Sequence, residues 1–153
     1  MAGSCGWLEP SRVRRPLPEL RILIADDHEL IRRAVRTLLE EEPGWKVVAE
    51  ASDGQEAFEK AKETKPEVVV LDIGMPRLSG LEAARRLKRI LPQVKVLMLT
   101  VHESERLALE VLNAGARGYV TKSDTAKELV TAIEALRRDK TFFTPRIDPH
   151  HSR

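Results

Sequence analysis

Five times along this chain a short apolar run gives way to a stretch with helical periodicity, and that alternation limits the available folds more than any other feature. The runs are RILIA (21–25), KVVAE (46–50), EVVVL (67–71), VKVLML (94–99) and RGYVT (117–121). They are rich in Val, Ile and Leu, bounded by turn-forming residues, and too short for helices. Nearly unbroken apolar runs suit strands covered on both faces, as in a parallel sheet.

The intervening segments carry the period of a helix. In 28–42, Leu30, Ile31, Ala34, Val35, Leu38 and Leu39 form one stripe, with Arg32, Arg33 and Arg36 facing away. Residues 125–138 repeat this with Ala126, Leu129, Val130, Ile133 and Leu136, while 54–64, 80–91 and 103–114 carry narrower stripes. Pro43-Gly44 and Pro92 punctuate helix ends, and Gly115 stands where a left-handed cap belongs. Five such units predict a flavodoxin-like, doubly wound α/β fold with right-handed crossovers and a parallel five-stranded sheet in the order 2-1-3-4-5. Ligands of such sheets bind in the crevice outside the carboxyl ends of strands 1 and 3.

Charge narrows the function. Three Arg against two Glu in 1–20, and two Arg against one Asp in 146–153, account for the whole formal charge of +2. Residues 21–145 are neutral, which leaves no electrostatic footprint for nucleic acid, so no direct DNA or RNA binding is expected of this chain. Cys5 is the only cysteine, excluding an intrachain disulfide and suiting a reducing cytoplasm. No apolar run approaches the roughly 20 residues of a membrane helix, and the start lacks an apolar signal-peptide core. Residues 1–19 read as a flexible extension, 20–144 as the folded domain, and 145–153 as a tail or the start of a linker.

The chemistry lies at the predicted strand ends. Strand 1 ends in Asp26-Asp27, strand 3 in Asp72, strand 4 in Thr100 and strand 5 in Lys122. Two adjacent strands thus aim three carboxylates into one crevice, and the next two add a hydroxyl and an ammonium. Crowded carboxylates raise one another's pKa unless cations intervene. Lys122 is one cation; the other implied is a hard divalent ion, with Mg²⁺ favoured because it takes one or two carboxylates plus waters and a substrate phosphate. A phosphoryl group is then the natural incoming ligand. Each residue alone has a plainer reading: Asp26-Asp27 as a helix cap, Lys122 as a solvated lysine, Tyr119 as a core aromatic, His28 as a flanking residue. The ordered set at successive strand ends outweighs them.

From about Leu20 to Thr144 the sequence resembles the receiver domains of bacterial response regulators, through LIADDHELIR, VVVLDIGMPRLSGLEA, MLTVHE, GARGYVTKS and FFTP. The His after the acidic pair, GARGYVTKS and FFTP most resemble the nitrate-regulator-type subfamily with helix-turn-helix output. The resemblance implies that Asp72 is the phosphoacceptor, served by a histidine kinase. It makes Asp27 a direct Mg²⁺ ligand, Asp26 an ally acting partly through water, and the Gly74 carbonyl a backbone ligand. Thr100 and Lys122 would hold phosphoryl oxygens, and Tyr119 would be the aromatic whose rotamer accompanies switching. A homodimer formed on phosphorylation is a further expectation. Ser123 stands where many receivers have proline, and Gly74 and His102 occupy positions that govern access of water to the acyl phosphate. The chief rival, a phosphatase of the haloacid-dehalogenase type, needs an Asp two residues after the nucleophile, where this chain has Gly74. Whether an output domain belongs to the protein is left open.

Overall fold

The computed structural model describes residues 19–144. The elements alternate as β1 (Leu20–Ala25), α1 (Glu29–Glu40), β2 (Trp45–Ala51), α2 (Gly54–Thr64), β3 (Val68–Asp72), α3 (Gly80–Ile90), β4 (Lys95–Thr100), α4 (Glu105–Asn113), β5 (Gly118–Thr121), α5 (Thr125–Arg137) and β6 (Phe142–Phe143). A single 3₁₀ turn, Lys122–Asp124, joins β5 to α5. Trp7 and His150-His151, with the two terminal segments expected to be irregular, lie outside the described residues.

All strand pairs are parallel, in the order β2-β1-β3-β4-β5-β6. The first five follow the predicted order; the sixth is a departure. The chain reverses at Asp139, whose φ is 63°, and brings Phe142 and Phe143 beside Gly118 and Tyr119. Gly118 permits the approach, since a Cβ there would lie 1.9 Å from the Phe142 carbonyl oxygen. Two residues are too few to produce a strand pattern in sequence.

Side chains alternate between two cores, as the two-residue strand period requires. Leu23, Ala25, Val69, Leu71, Val96 and Met98 pack under α2, α3 and α4, where Ala57, Ala61, Ala83, Ala84 and Ala108 keep the helices close. Ile22, Ile24, Val68, Val70, Leu97 and Leu99 pack under α1 and α5 against Val35, Leu39, Leu129, Ile133 and Leu136. The outer members of the predicted stripes do not reach the core: Leu30 is 79% exposed, and Ala34 and Ala126 also face outward. Nor do all the arginines of α1 simply face solvent. Arg32 and Arg36 both reach Glu50 on β2, and the Arg32 side chain is only 18% exposed.

Helix starts are set by local side chains. Asp53, Ser79 and Ser104 cap α2, α3 and α4 by accepting from the N–H of Glu56, Glu82 and Leu107, each cap worth about 1 kcal/mol. Gly115 takes the left-handed φ of 93° after α4. The result fixes five strand ends along one edge of the sheet.

Candidate functional site

The carboxyl ends of β1, β3, β4 and β5 converge there. Asp26, just past β1, is fully buried, and Asp72, the last residue of β3, is 4% exposed. Lys122, in the turn after β5, sends its Nζ to 3.1 Å from Asp72 Oδ2 and 3.5 Å from Asp26 Oδ2. The Gly74 N–H donates to Asp72 Oδ1 at 3.1 Å. Asp27 lies at the mouth with its side chain 32% exposed. Asp26, Asp27, His28 and Asp72 each offer a ligand atom, and these atoms all lie within 4.8 Å of one another.

Burial pushes the Asp72 carboxyl above the usual carboxylate range, against the pull of the Gly74 N–H; the Asp26 charge raises it further and Lys122 opposes. Desolvation of the charged form and like-charge repulsion both favour the proton. Asp26 Oδ2 is buried with no hydrogen-bond partner among the described residues. An orphaned carboxylate oxygen in low dielectric is costly, and here it sits among further oxygen donors. That set fits a hard divalent cation such as Mg²⁺; Asp26, Asp27, His28 and Asp72 are the side chains close enough to hold one, and the Gly74 carbonyl is the further ligand expected from the sequence.

Two residues contribute more than their sequence positions indicated. His28 is the N-cap of α1 but makes no side-chain cap. Its N–H donates to Asp26 Oδ1 at 2.8 Å, and its Nδ1 lies 3.1 Å from an oxygen of each of Asp26 and Asp27. The acidic pair is thus a cluster crossed by a histidine, not a helix cap. Arg32 donates from Nη1 to the Asp26 carbonyl at 2.7 Å and from Nε to Glu50 at 3.0 Å, tying the acidic turn to β2. Nothing in the helical period marks this arginine, because a long side chain can bend back along its helix.

Thr100 and Tyr119 stand beside the crevice on neighbouring strands. Thr100 Oγ1 accepts from the His102 N–H at 3.1 Å. Tyr119 is fully buried and points inward: the Ser104 N–H donates to its hydroxyl at 3.0 Å, and the hydroxyl donates to the Ser104 carbonyl at 3.2 Å. Its ring meets Phe143 edge-on, with centroids 5.0 Å apart. The two side chains therefore engage opposite ends of the loop that opens α4.

The loop from Ile73 to Ser79 carries strain. Arg77 has a φ of 67°, and the Leu78 N–H donates to the Pro76 carbonyl at 2.7 Å across it. A three-residue turn through positive φ is rare for a side-chain-bearing residue and costs roughly 1–3 kcal/mol. Arg77 donates from Nη2 to Asp53 Oδ2 at 2.6 Å.

Residues 22–134 match the family described as response regulator receiver domain. The chain belongs to that family. Among curated relatives it is 40% identical over 128 residues to response regulator GacA of Pseudomonas viridiflava, an alignment covering 84% of this chain and 60% of that protein. It is 42% identical over 117 residues to response regulator UvrY of Escherichia coli K12, covering 76% and 54%. The receiver domain thus spans little more than half the length of these relatives. Among solved structures, a LuxR-family two-component response regulator from Aurantimonas sp. SI85-9A1 superposes with a TM-score of 0.79 at 41% identity, covering 83% of this chain and 91% of that one. The receiver domain of the putative response regulator NarL from Mycobacterium tuberculosis gives 0.76 at 30% identity, covering 81% and 100%. These likenesses support the nitrate-regulator and LuxR-type branch.

Proposed function

We propose that this receiver domain takes a phosphoryl group onto Asp72 from the phosphohistidine of a sensor kinase and switches conformation as a result. One observation supports this above the others: an almost buried Asp72, held by Lys122 and the Gly74 N–H, beside an acidic cluster with an orphaned oxygen. In the transfer, a carboxylate oxygen of Asp72 forms the new O–P bond as the N–P bond to the kinase imidazole breaks. The released imidazole takes up a proton from solvent. A carboxylate is a weak nucleophile, so the rate comes from positioning and charge neutralisation. The Gly74 N–H orients Asp72, and Lys122 faces negative charge that builds on the phosphoryl oxygens. Mg²⁺ held by Asp26, Asp27, Asp72 and the Gly74 carbonyl would neutralise the remaining charge. Asp26 and Asp27 serve as its carboxylate seat, with Arg32 fixing the backbone beneath them.

For signalling, the Thr100 hydroxyl gives up the His102 N–H and donates its own proton to a phosphoryl oxygen, and the freed loop alters its fit with Tyr119 at Ser104. That is a two-state change in packing at the start of α4. Water later attacks the phosphorus, releases inorganic phosphate and regenerates the Asp72 carboxylate. The domain acts on itself only, with no turnover of other phosphate esters, and works in the cytoplasm. Among the described residues no helix is long and apolar enough to cross a membrane.

The output is control of transcription through a DNA-binding domain that is separate or lies beyond this chain. A stand-alone receiver acting by protein contacts is the alternative. A homodimer on phosphorylation has a surface to use: Ile31, Ala34 and Leu38 of α1 face Thr125 and Ala126 of α5 across an open groove of about 610 Å³.

The test is intact mass after incubation with Mg²⁺ and a small phosphodonor. The parent gains one phosphoryl only when Mg²⁺ is present, and Asp72→Asn gains none. Labelling that survives Asp72→Asn moves the acceptor elsewhere.

A further inference from the structure

We propose that Arg77 is a positioning residue for this site: its ion pair with Asp53 holds the β3–α3 loop in the path that keeps the Gly74 carbonyl and Asp72 together. The inference rests on the reading of Asp72 as phosphoacceptor. A residue needed at position 77 only for its backbone would be glycine or asparagine, which take positive φ readily. Here an arginine holds φ 67°, and its side chain makes an ion pair with Asp53.

What it reaches is well placed to hold a loop. Asp53 is 7% exposed, and its other oxygen caps α2 by accepting from the Glu56 N–H at 2.8 Å. The partner of Arg77 is therefore a fixed point and not a mobile surface carboxylate. The loop already lies against that helix start, since a Cβ on Gly54 would sit 1.9 Å from the Leu78 carbonyl oxygen. Its neck is closed where the Gly80 N–H donates to the Ile73 carbonyl at 3.0 Å. Neck and contact fix the far half of the loop through backbone. The ion pair is the side-chain tether between them, next to the strained turn and three residues beyond Gly74.

Four single variants test the tether, Arg77→Ala, Arg77→Lys, Arg77→Gly and Asp53→Asn, whose amide still caps α2, together with the double variant of Arg77→Ala and Asp53→Asn. Three readouts apply to each: Mg²⁺ affinity by calorimetric titration, amide exchange at Leu78 and Gly80 without metal, and the initial rate of phosphorylation. Arg77→Ala and Asp53→Asn should each weaken Mg²⁺ binding and slow phosphorylation about tenfold, the low end for a residue supporting metal ligands. Both should speed exchange at Leu78 and Gly80 while α2 amides stay protected. The double variant should be no worse than the worse single, and Arg77→Lys should recover most of the loss.

Arg77→Gly separates tether from strain. It relaxes the backbone but lacks the ion pair, and the proposal requires it to behave like Arg77→Ala. Parent-like values in Arg77→Gly or in Arg77→Ala, or fully additive losses in the double variant, would overturn it. A parent that takes no phosphoryl group sinks the reading of Asp72 instead, and metal affinity and loop exchange then still judge the tether.

Discussion

The two edges of one sheet are built to opposite standards. At the amino edge burial, then the charges of Arg117 and Lys95, push the Lys88 ammonium below its ordinary range, yet each of these cations has an acceptor. Lys95 pairs with Asp139, Arg21 takes the Lys65 carbonyl while its N–H takes Glu67, and Lys88 donates to the carbonyls of Pro92 and Val94. At the carboxyl edge three carboxylates crowd together, two of them against Lys122, and a strained loop hangs beside them. Among the described residues each edge has one buried side-chain polar atom without a hydrogen-bond partner, Arg117 Nε and Asp26 Oδ2. They are not equivalent: the guanidinium delocalises its charge and still donates to the Asp139 carbonyl, whereas the Asp26 oxygen lies in a cluster of acids with only the Lys122 ammonium, 3.5 Å away, to answer it. The two edges therefore differ in how fully their like charges are answered by the protein itself. Local instability at an otherwise satisfied fold marks function.

Removing the cation at the carboxyl edge should have the largest effect. Lys122→Ala should slow phosphorylation about 100-fold, in line with loss of one preorganised donor. With its side chain only 15% exposed, the change should also lower stability by about 2 kcal/mol, less than for a fully buried pair. A loss confined to stability, with parent-like rates in the folded fraction, would break the contrast.

Removing an acid should act in the opposite direction on stability. The native Asp72 holds its proton more tightly than the unfolded chain does, so stability falls as pH rises from the ordinary value of 3.8 through the raised native value, then levels. Asp72→Asn should abolish that descent and melt several degrees higher at neutral pH, at roughly 3–5 °C per kcal/mol for a domain of this size. Thermal scans across pH decide this; a variant that melts lower means the crowding is already relieved.

A smaller effect concerns the rim. His102, two residues beyond Thr100, is exposed, as is Gly74, which puts no side chain beside Asp72. Replacing His102 by Ala should change the rate of phosphoryl loss about threefold, a sub-kcal/mol change in barrier. Following the phosphorylated mass over time measures it, and unchanged decay would remove His102 from the account.

The smallest effect belongs to the satisfied part of the fold. The Ser52 N–H and then Lys60 hold the Glu56 carboxyl down at about 2 against an ordinary 4.5. A depressed carboxylate adds stability that is complete above its unfolded pKa and fades as pH falls from about 4.5 towards 2. Because Glu56 is partly solvated, Glu56→Gln should cost less than about 1 kcal/mol at neutral pH. Equal acid sensitivity in parent and variant by chemical denaturation would contradict the assignment.

Most of the frame was legible because it obeys period. Val68 to Leu71 sit on both faces of one buried strand, and Val35, Leu39, Leu129 and Ile133 stand at helical spacing. The strand ends followed from those boundaries, so the sequence alone brings Asp26, Asp27, Asp72, Thr100 and Lys122 to one edge. What escaped was whatever depends on reach, not on period. Arg32 bends back to the Asp26 carbonyl, His28 folds over both acids, and Arg77 crosses to Asp53, each through side-chain torsions that no spacing rule contains. Leu30 and Ala126 fit the helical stripe but not the core, since a stripe is wider than the surface that covers it. The strand at Phe142 depended on a turn at Asp139 and a side-chain-free Gly118, neither visible as a pattern.

The contrast between the two edges turns on whether the acidic one is completed by a divalent cation. Thermal midpoints of the parent and of Asp27→Asn, taken at neutral pH over rising Mg²⁺, address that directly. The parent should climb with concentration, gaining about 2.7 kcal/mol at 100 times its dissociation constant, while Asp27→Asn stays nearly flat. A parent indifferent to Mg²⁺, or a variant that climbs just as far, would mean the crevice does not hold the ion.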